Sequence, residues 1–397
     1  ATNAIDKAEY PQTTEVEKRC VNIIANLWNA PENETYMGTS TVGSSEACML
    51  GGMAMKFRWR KRAAALGIDV VTKKPNLIVS SGFQVVWEKF CVYWDVELRE
   101  IPMTDMENLR LDPKAAIAAC DEYTIGIVPI MGITYTGTFD DVVAFDKEVE
   151  EYNKTAKLSI PIHIDAASGG LYLPFVEPSL VWDFRLKNVV SISTSGHKFG
   201  LVYPGLGWVL WRDKEYLPEE LLFKVAYLGA FEPTFQINFS RPGSQIWAQY
   251  YNFVRWGKEG YKAVHEKSRD VGLFLAKGLE KLKIFKILND GKNIPIVCWS
   301  LKDDPKRTWT EYDLSDRLRY FGWQLPAYPL AKNFENVTLM RAVVRADQSM
   351  EQMSLLLQDM NTSIEYLNAN FVGKKDTKIT EDSVAGYAHN EKRFLKK

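Results

Sequence analysis

The stretch Val189-Val190-Ser191-Ile192-Ser193-Thr194-Ser195-Gly196-His197-Lys198 reads as a strand, Val189–Ser193, that runs directly into a lysine. Upstream, Ile162-His163-Ile164-Asp165-Ala166-Ala167 has the same form, a very apolar strand closing on a charge. Working outward, apolar runs of strand length alternate with helical patterns between Asn76 and Trp211. The runs are Asn76–Ser80, Val96–Ile101, Thr124–Ile130, Ile160–Ile164, Val189–Ser193 and Leu206–Trp211. Helical stretches such as Val85–Trp94, Pro113–Cys120 and Asp141–Tyr152 lie between them. Strands apolar on both faces and joined by helical crossovers predict a mainly parallel sheet covered on both sides, an α/β fold. A long helix, Glu46–Leu66, is expected after a loop at Gly38–Ser45, and helical spacing recurs from Ser244 to Leu282.

A second pattern begins near Ile284. Short strand candidates (Ile294–Leu301, Gly322–Ala327, Val337–Val344) are separated by helices at Thr310–Tyr320 and Met350–Leu367, which is an α+β arrangement. The expected division is an N-terminal helical segment over 1–35, a large domain over 36–283, a small α+β domain over 284–371 and a polar, flexible tail over 372–397. The chain opens on Ala1 rather than Met, so an N-terminal piece is expected to lie outside this sequence. Its 49 Lys and Arg against 50 Asp and Glu give a net charge of -1. No bulk field recruits nucleic acid or an anionic membrane, and any anion must be bound locally. Five scattered cysteines without a CxxC pair predict reduced core thiols in a cytoplasmic protein, with neither a disulfide frame nor a metal site.

The chemistry-bearing candidates gather at strand ends and helix starts. Lys198 is either an ordinary solvated lysine or an amine in a pocket, whose lowered pKa suits Schiff-base chemistry. Asp165 is either a strand-end cap or a partner for a cation, such as the protonated ring nitrogen of a pyridine cofactor, and Ala166 and Ala167 leave room for a flat ring. Gly43-Ser44-Ser45 opens a helix, so its N–H groups and hydroxyls offer a phosphate site; a plain serine N-cap is the alternative. No Gly-Lys-Ser/Thr follows, which excludes a Walker loop, and no strand leads into Gly-x-Gly-x-x-Gly, which argues against a nicotinamide-binding fold. Gln84, just after a strand, either lies on the face of a ring or starts a helix. Thr134, in Thr134-Tyr135-Thr136-Gly137, either offers a hydroxyl or makes a turn. A doubly wound sheet would bring these strand ends to one crevice.

With these residues in place, the chain closely resembles the glutamate decarboxylases among the group II pyridoxal-phosphate-dependent decarboxylases. Gly43-Ser44-Ser45-Glu46-Ala47, His163-Ile164-Asp165-Ala166-Ala167, Ser195-Gly196-His197-Lys198 and Asn238-Phe239-Ser240-Arg241 carry the likeness, which runs from about Ala1 to Leu367. The resemblance implies a fold type I architecture, a large domain with a mainly parallel seven-stranded sheet and a small C-terminal α+β domain. It implies pyridoxal 5'-phosphate as cofactor, with Lys198 as the Schiff-base lysine. Ser44, Ser45 and His197 would hold the phosphate, with Ala167 and Ser195 alongside and Ser240 reaching in from a neighbouring subunit of a homodimer. Gln84 would stack on the ring, where most aromatic amino-acid decarboxylases carry a histidine. Thr134 would contact the ring face or the substrate, and Asp165 the ring nitrogen. Arg341 would hold the α-carboxylate of L-glutamate, Asn3 and Asp6 would lie near its distal carboxylate, and Tyr227 would protonate Cα.

The implied reaction is α-decarboxylation of L-glutamate to 4-aminobutyrate, with uptake of a proton, which fits a role in acid tolerance. Two rivals stand beside it: a group II decarboxylase for another amino acid, against which Gln84 speaks, and a non-catalytic binding subunit, against which Lys198 and Asp165 speak. The family's bacterial members can close the site with a tail histidine, for which His389 is the candidate here. The tail lacks tryptophan and its basic end is short, which speaks against calmodulin as a partner.

Overall fold

The computed structural model describes residues 2–32, 36–103, 109–225 and 232–370. The amphipathic helix α1 (Pro11–Leu27) leads into strand β1 (Met37–Thr41) and the long helix α2 (Gly43–Ala65). Strands then alternate with crossovers: β2 (Asn76–Ser80), α3 (Val86–Tyr93), β3 (Glu97–Ile101), α4 (Pro113–Ala118), β4 (Thr124–Val128), α5 (Val142–Asn153), β5 (Ile162–Asp165), α6 (Leu173–Val176), β6 (Val189–Ser195) and β7 (Gly207–Trp211). These form a seven-stranded sheet in the order β1-β7-β6-β5-β4-β2-β3. The pairs from β3 through β6 are parallel, and β7 is antiparallel to both β6 and β1. β2, β4, β5, β6 and β7 are buried along their whole length, as expected of strands covered by helices on both faces.

A short ribbon, β8 (Phe223–Val225) with β9 (Glu232–Thr234), precedes α7 (Gly243–Lys281), which is interrupted at Gly257 by a left-handed backbone angle, φ 57°. Beyond α7 stands a second, four-stranded sheet of β10 (Phe285–Asp290), β11 (Ile296–Leu301), β12 (Ala327–Pro329) and β13 (Thr338–Val343), antiparallel throughout. It packs with α8 (Glu311–Leu318) and α9 (Met350–Asn370) around its own core of Trp299, Leu314, Met340 and Met360. No helix among the described residues is long and apolar enough to cross a membrane.

Three local expectations are corrected. Gly38–Ser45 is not a loop: β1 occupies Met37–Thr41 and α2 starts at Gly43. The strand expected over Gly322–Ala327 lies later, because Gly322 takes a left-handed φ of 86° that closes a 3-10 turn, and pairing begins only at Ala327. Phe285–Asp290 adds a strand, β10, that the expected elements lacked.

Candidate active site

Parallel β5 and β6 are neighbours, with Asp165 in register with Ser193. Their ends therefore present Asp165 and, three residues past the end of β6, Lys198 to the same crevice. Lys198 Nζ donates to Ser168 Oγ at 3.3 Å. That approach depends on Gly132, φ 110°, where a Cβ would come within 2.8 Å of the Ser168 Cβ. The lysine side chain reaches the surface, but it lies along the wall of a crevice where surrounding protein displaces water. That desolvation lowers its pKa; Asp165 pulls in the opposite direction, and Arg341 adds to the lowering. The result is an amine more readily deprotonated than a solvated lysine, as Schiff-base chemistry requires.

Asp165 is buried and ordered by two donors. Trp87 Nε1–H reaches Oδ2 at 2.9 Å and the Ala167 N–H reaches Oδ1 at 3.1 Å. Hydrogen bonds to the ionised form oppose the cost of burying a carboxylate.

The start of α2 faces the same crevice. No side chain among the described residues caps it, and the Val42 N–H is taken by the Glu46 carboxylate at 2.6 Å. Ser195 Oγ and Ser44 Oγ are 2.7 Å apart, so the end of β6 and the first turn of α2 offer hydroxyls at one point. The two elements meet through glycine: a Cβ on Gly207 would come within 2.4 Å of the Gly43 backbone. His197 edges this cradle, its Nδ1 3.3 Å from the Leu206 carbonyl oxygen, and burial lowers its pKa. First-turn N–H groups, the helix dipole, two hydroxyls and an imidazole make a donor set suited to a phosphate. With Lys198 for an aldehyde and Asp165 for a ring nitrogen, the residues present fit pyridoxal phosphate.

The second sheet supplies the far wall. Arg341, on β13, donates to the Thr134 carbonyl oxygen and lies 5.6 Å from the Tyr328 ring centre. Thr134 itself is exposed. Other expected residues have protein partners of their own. The Gln84 amide oxygen accepts from the Val86 N–H at 2.7 Å, so it caps the start of its own helix. Asn3 Nδ2 donates to Ser240 Oγ at 3.2 Å while its Oδ1 accepts from the Arg241 N–H at 3.0 Å, and Asp6 accepts from the Glu9 N–H. Ser45 stands in the first turn of α2 beside Ser44. Tyr227 and His389 lie outside the described residues.

Trp87, Ser168 and Cys48 join the site without having been expected. In sequence Trp87 looks like any core tryptophan and Cys48 like any small apolar residue; only the fold brings them to Asp165 and Lys198.

The described geometry agrees with comparisons to known proteins. The model of the pyridoxal-dependent decarboxylase conserved domain matches residues 1–302. A glutamate decarboxylase of Lactococcus lactis subsp. lactis (strain IL1403) is 63% identical over 366 residues, 92% of this chain and 78% of that protein. Glutamate decarboxylase beta of Listeria monocytogenes serovar 1/2a is 58% identical over 387 residues, 98% of this chain and 83% of that protein. Among solved structures, the glutamate decarboxylase of Lactobacillus brevis CGMCC 1306 superposes with a TM-score of 0.89 at 56% identity, covering 92% of this chain and 83% of that one. A sphingosine-1-phosphate lyase of Burkholderia pseudomallei K96243 shares the fold, with a TM-score of 0.77 at 20% identity over 93% of this chain and 80% of that one. An amine and a carboxylate on adjacent strand ends, a phosphate cradle at α2 and a family match over three quarters of the sequence converge, and the chain belongs to the pyridoxal-dependent decarboxylase family.

Proposed function

We propose that this protein removes the α-carboxylate of L-glutamate as carbon dioxide and releases 4-aminobutyrate, taking up one proton per turnover. The observation that carries the chemistry is that Lys198, just past the end of β6, and Asp165, at the end of the adjacent β5, meet beside the start of α2. The substrate follows from the similarity to proteins named glutamate decarboxylase.

Pyridoxal phosphate bound there supplies an electron sink for the pair left on Cα when carbon dioxide departs. The chain's own residues do the rest. Lys198 would supply the amine that holds the cofactor's aldehyde carbon. Asp165, held by Trp87 and Ala167, keeps a proton on the ring nitrogen and so keeps the sink strong. Ser44, Ser45, Ser195 and His197 fix the phosphate. Arg341, carried in from the second sheet, orients the α-carboxylate near Thr134, and Gln84 lies against the ring. Tyr227 returns the proton to Cα.

The same reading places the site between two copies of the chain, with Ser240 completing the partner's phosphate cradle and Asn3 and Asp6 lining the distal end of the substrate. Exposed Trp247, Tyr251 and Val254 recur at i, i+4 and i+7 on α7, and exposed Ile237 lies just before them. An apolar stripe of that kind supports a covered surface.

The test is a product assay on L-glutamate and a panel of other amino acids, with and without added cofactor. Formation of 4-aminobutyrate that depends on pyridoxal phosphate is expected, with little turnover of aromatic amino acids. Equal turnover of an aromatic substrate would overturn the assignment.

A further inference from the structure

Behind Asp165 lies a ring of buried groups that the proposed chemistry does not use. Two positions before Asp165 on β5, and so on the same face of the sheet, stands His163, fully buried. Its Nδ1 is 2.7 Å from Ser191 Oγ and its Nε2 is 3.1 Å from Ser193 Oγ, both serines being on β6. Ser193 Oγ in turn is 3.2 Å from the Cys48 thiol on α2. The charges of the Asp165 carboxylate and the Lys198 amine both act on that thiol, with opposite signs. On the other side, the Trp87 ring meets His163 edge to face, with centroids 5.4 Å apart, and its N–H ends on Asp165. Two arms therefore leave His163 and converge on one carboxylate.

The donors and acceptors give one arm a direction. Burial holds His163 neutral, with its pKa pulled down to about 3, so one ring nitrogen donates and the other accepts. Burial, reinforced by Asp165, pushes the Cys48 pKa up, so the thiol keeps its hydrogen. The carboxylate can only accept. With the thiol hydrogen turned toward Asp165, the other members follow in one order: Ser193 O–H to sulfur, Nε2–H to Ser193 and Ser191 O–H to Nδ1. The fit is close, since the imidazole leans on Gly51, where a Cβ would come within 2.3 Å of Cε1.

We propose that Ser191, His163, Ser193 and Cys48 form a one-way hydrogen-bond file that, together with Trp87, positions the Asp165 carboxylate opposite the ring nitrogen. They are positioning residues: they act through Asp165 and do not touch the reacting atoms. The proposal rests on the reading that Asp165 faces that nitrogen.

The test compares binding of two ligands to the apoprotein by calorimetry: pyridoxal phosphate, and its carbocyclic analogue in which a C–H replaces the ring nitrogen. The wild type is expected to prefer pyridoxal phosphate. Cys48→Ala is expected to weaken binding of pyridoxal phosphate about tenfold, the scale of one hydrogen bond to a charged group. Binding of the analogue should change by less than about twofold, since the lost contact acts only through the nitrogen. Cys48→Ser, which retains a donor, should recover most of the loss, and Trp87→Phe should repeat the pattern of Cys48→Ala. In turnover, kcat should fall while KM for glutamate holds. Equal losses for the two ligands, or serine no better than alanine, would show that these residues merely pack and would overturn the file. A wild type indifferent to the ring nitrogen would overturn the placement of Asp165 and the file with it, and a wild type that binds neither ligand would overturn the cofactor site.

Discussion

His265 offers a direct test of how burial controls protonation in this fold. It sits on α7 at 1% exposure, with the rings of Tyr172, Phe175, Phe199 and Tyr261 around it at centroid distances of 5.2, 5.9, 5.7 and 5.6 Å. Its Nε2 donates to the Leu171 carbonyl oxygen at 3.0 Å. Loss of solvation pulls its pKa from 6.5 down to about 4, although backbone carbonyls pull the other way. As pH falls below 6.5, the unfolded chain takes up a proton here that the folded protein refuses until about pH 4. Stability is therefore lost across that window and is unaffected above it. Integrated from pH 7 to pH 5, the loss is about 2 kcal/mol for this one residue. At an unfolding entropy of about 2.1 cal/mol/K per residue, that corresponds to about 2–3 °C in Tm. His265→Phe removes the proton site while keeping an aromatic ring in the cage. The apoprotein and its variant, melted at pH 7 and pH 5 and followed by circular dichroism, should differ less at pH 5 than at pH 7 by that amount. Tm profiles separated by a constant offset would refute the reasoning. His163 and Asp140, whose pKa burial pushes up to about 6, titrate in the same region with opposite signs, but both are common to the two proteins and cancel in the difference.

Three further outcomes are expected. Lys198→Ala should abolish turnover and the visible absorbance of bound cofactor, and borohydride reduction of the wild type followed by peptide mapping should label Lys198; label elsewhere would displace it from its role. Asp165→Asn should fold normally yet lower kcat by at least about tenfold, since a neutral amide replaces a charge-assisted partner; wild-type turnover would make Asp165 structural only. Gly207→Ala should drive a methyl group into the Gly43 backbone and weaken cofactor affinity by roughly tenfold to a hundredfold, the range of overpacking costs, as read by equilibrium dialysis.

The sequence made the sheet legible because its strands are buried on both faces and so read as continuous apolar runs, Asn76–Ser80 being the clearest. β1 escaped notice because it is an edge strand, Met-Gly-Thr-Ser-Thr, with almost no apolar signal. Its polar groups are satisfied by the buried Glu17 of α1, whose Oε1 accepts from Thr39 Oγ1, the Ser40 N–H and Ser40 Oγ. That is a tertiary contact no local pattern contains. Lys198 and Asp165 stood out because a charge at the end of an apolar strand is costly and asks for a reason. Trp87, Ser168 and Cys48 asked for none. Gln84 shows the limit from the other side: its position after a strand was legible, but the 2.7 Å bond it accepts from the Val86 N–H depends on a rotamer that sequence does not encode.

The pairing of β1 with β7 bears on how the chain is made. Met37 lies opposite Trp211, about 170 residues later in the sequence. At roughly 5–20 residues per second of synthesis, the first edge strand waits on the order of 10–30 s for its partner to leave the ribosome. During that interval Gly43 has no Gly207 to rest against, so the phosphate cradle does not yet exist. The face of α2 that packs on β7, with Ala47, Leu50 and Ala54, is then uncovered as well. The contact between Gly43 and Gly207 and the cover for this face of α2 both wait on β7, so the nascent chain carries an uncovered apolar helix face until then.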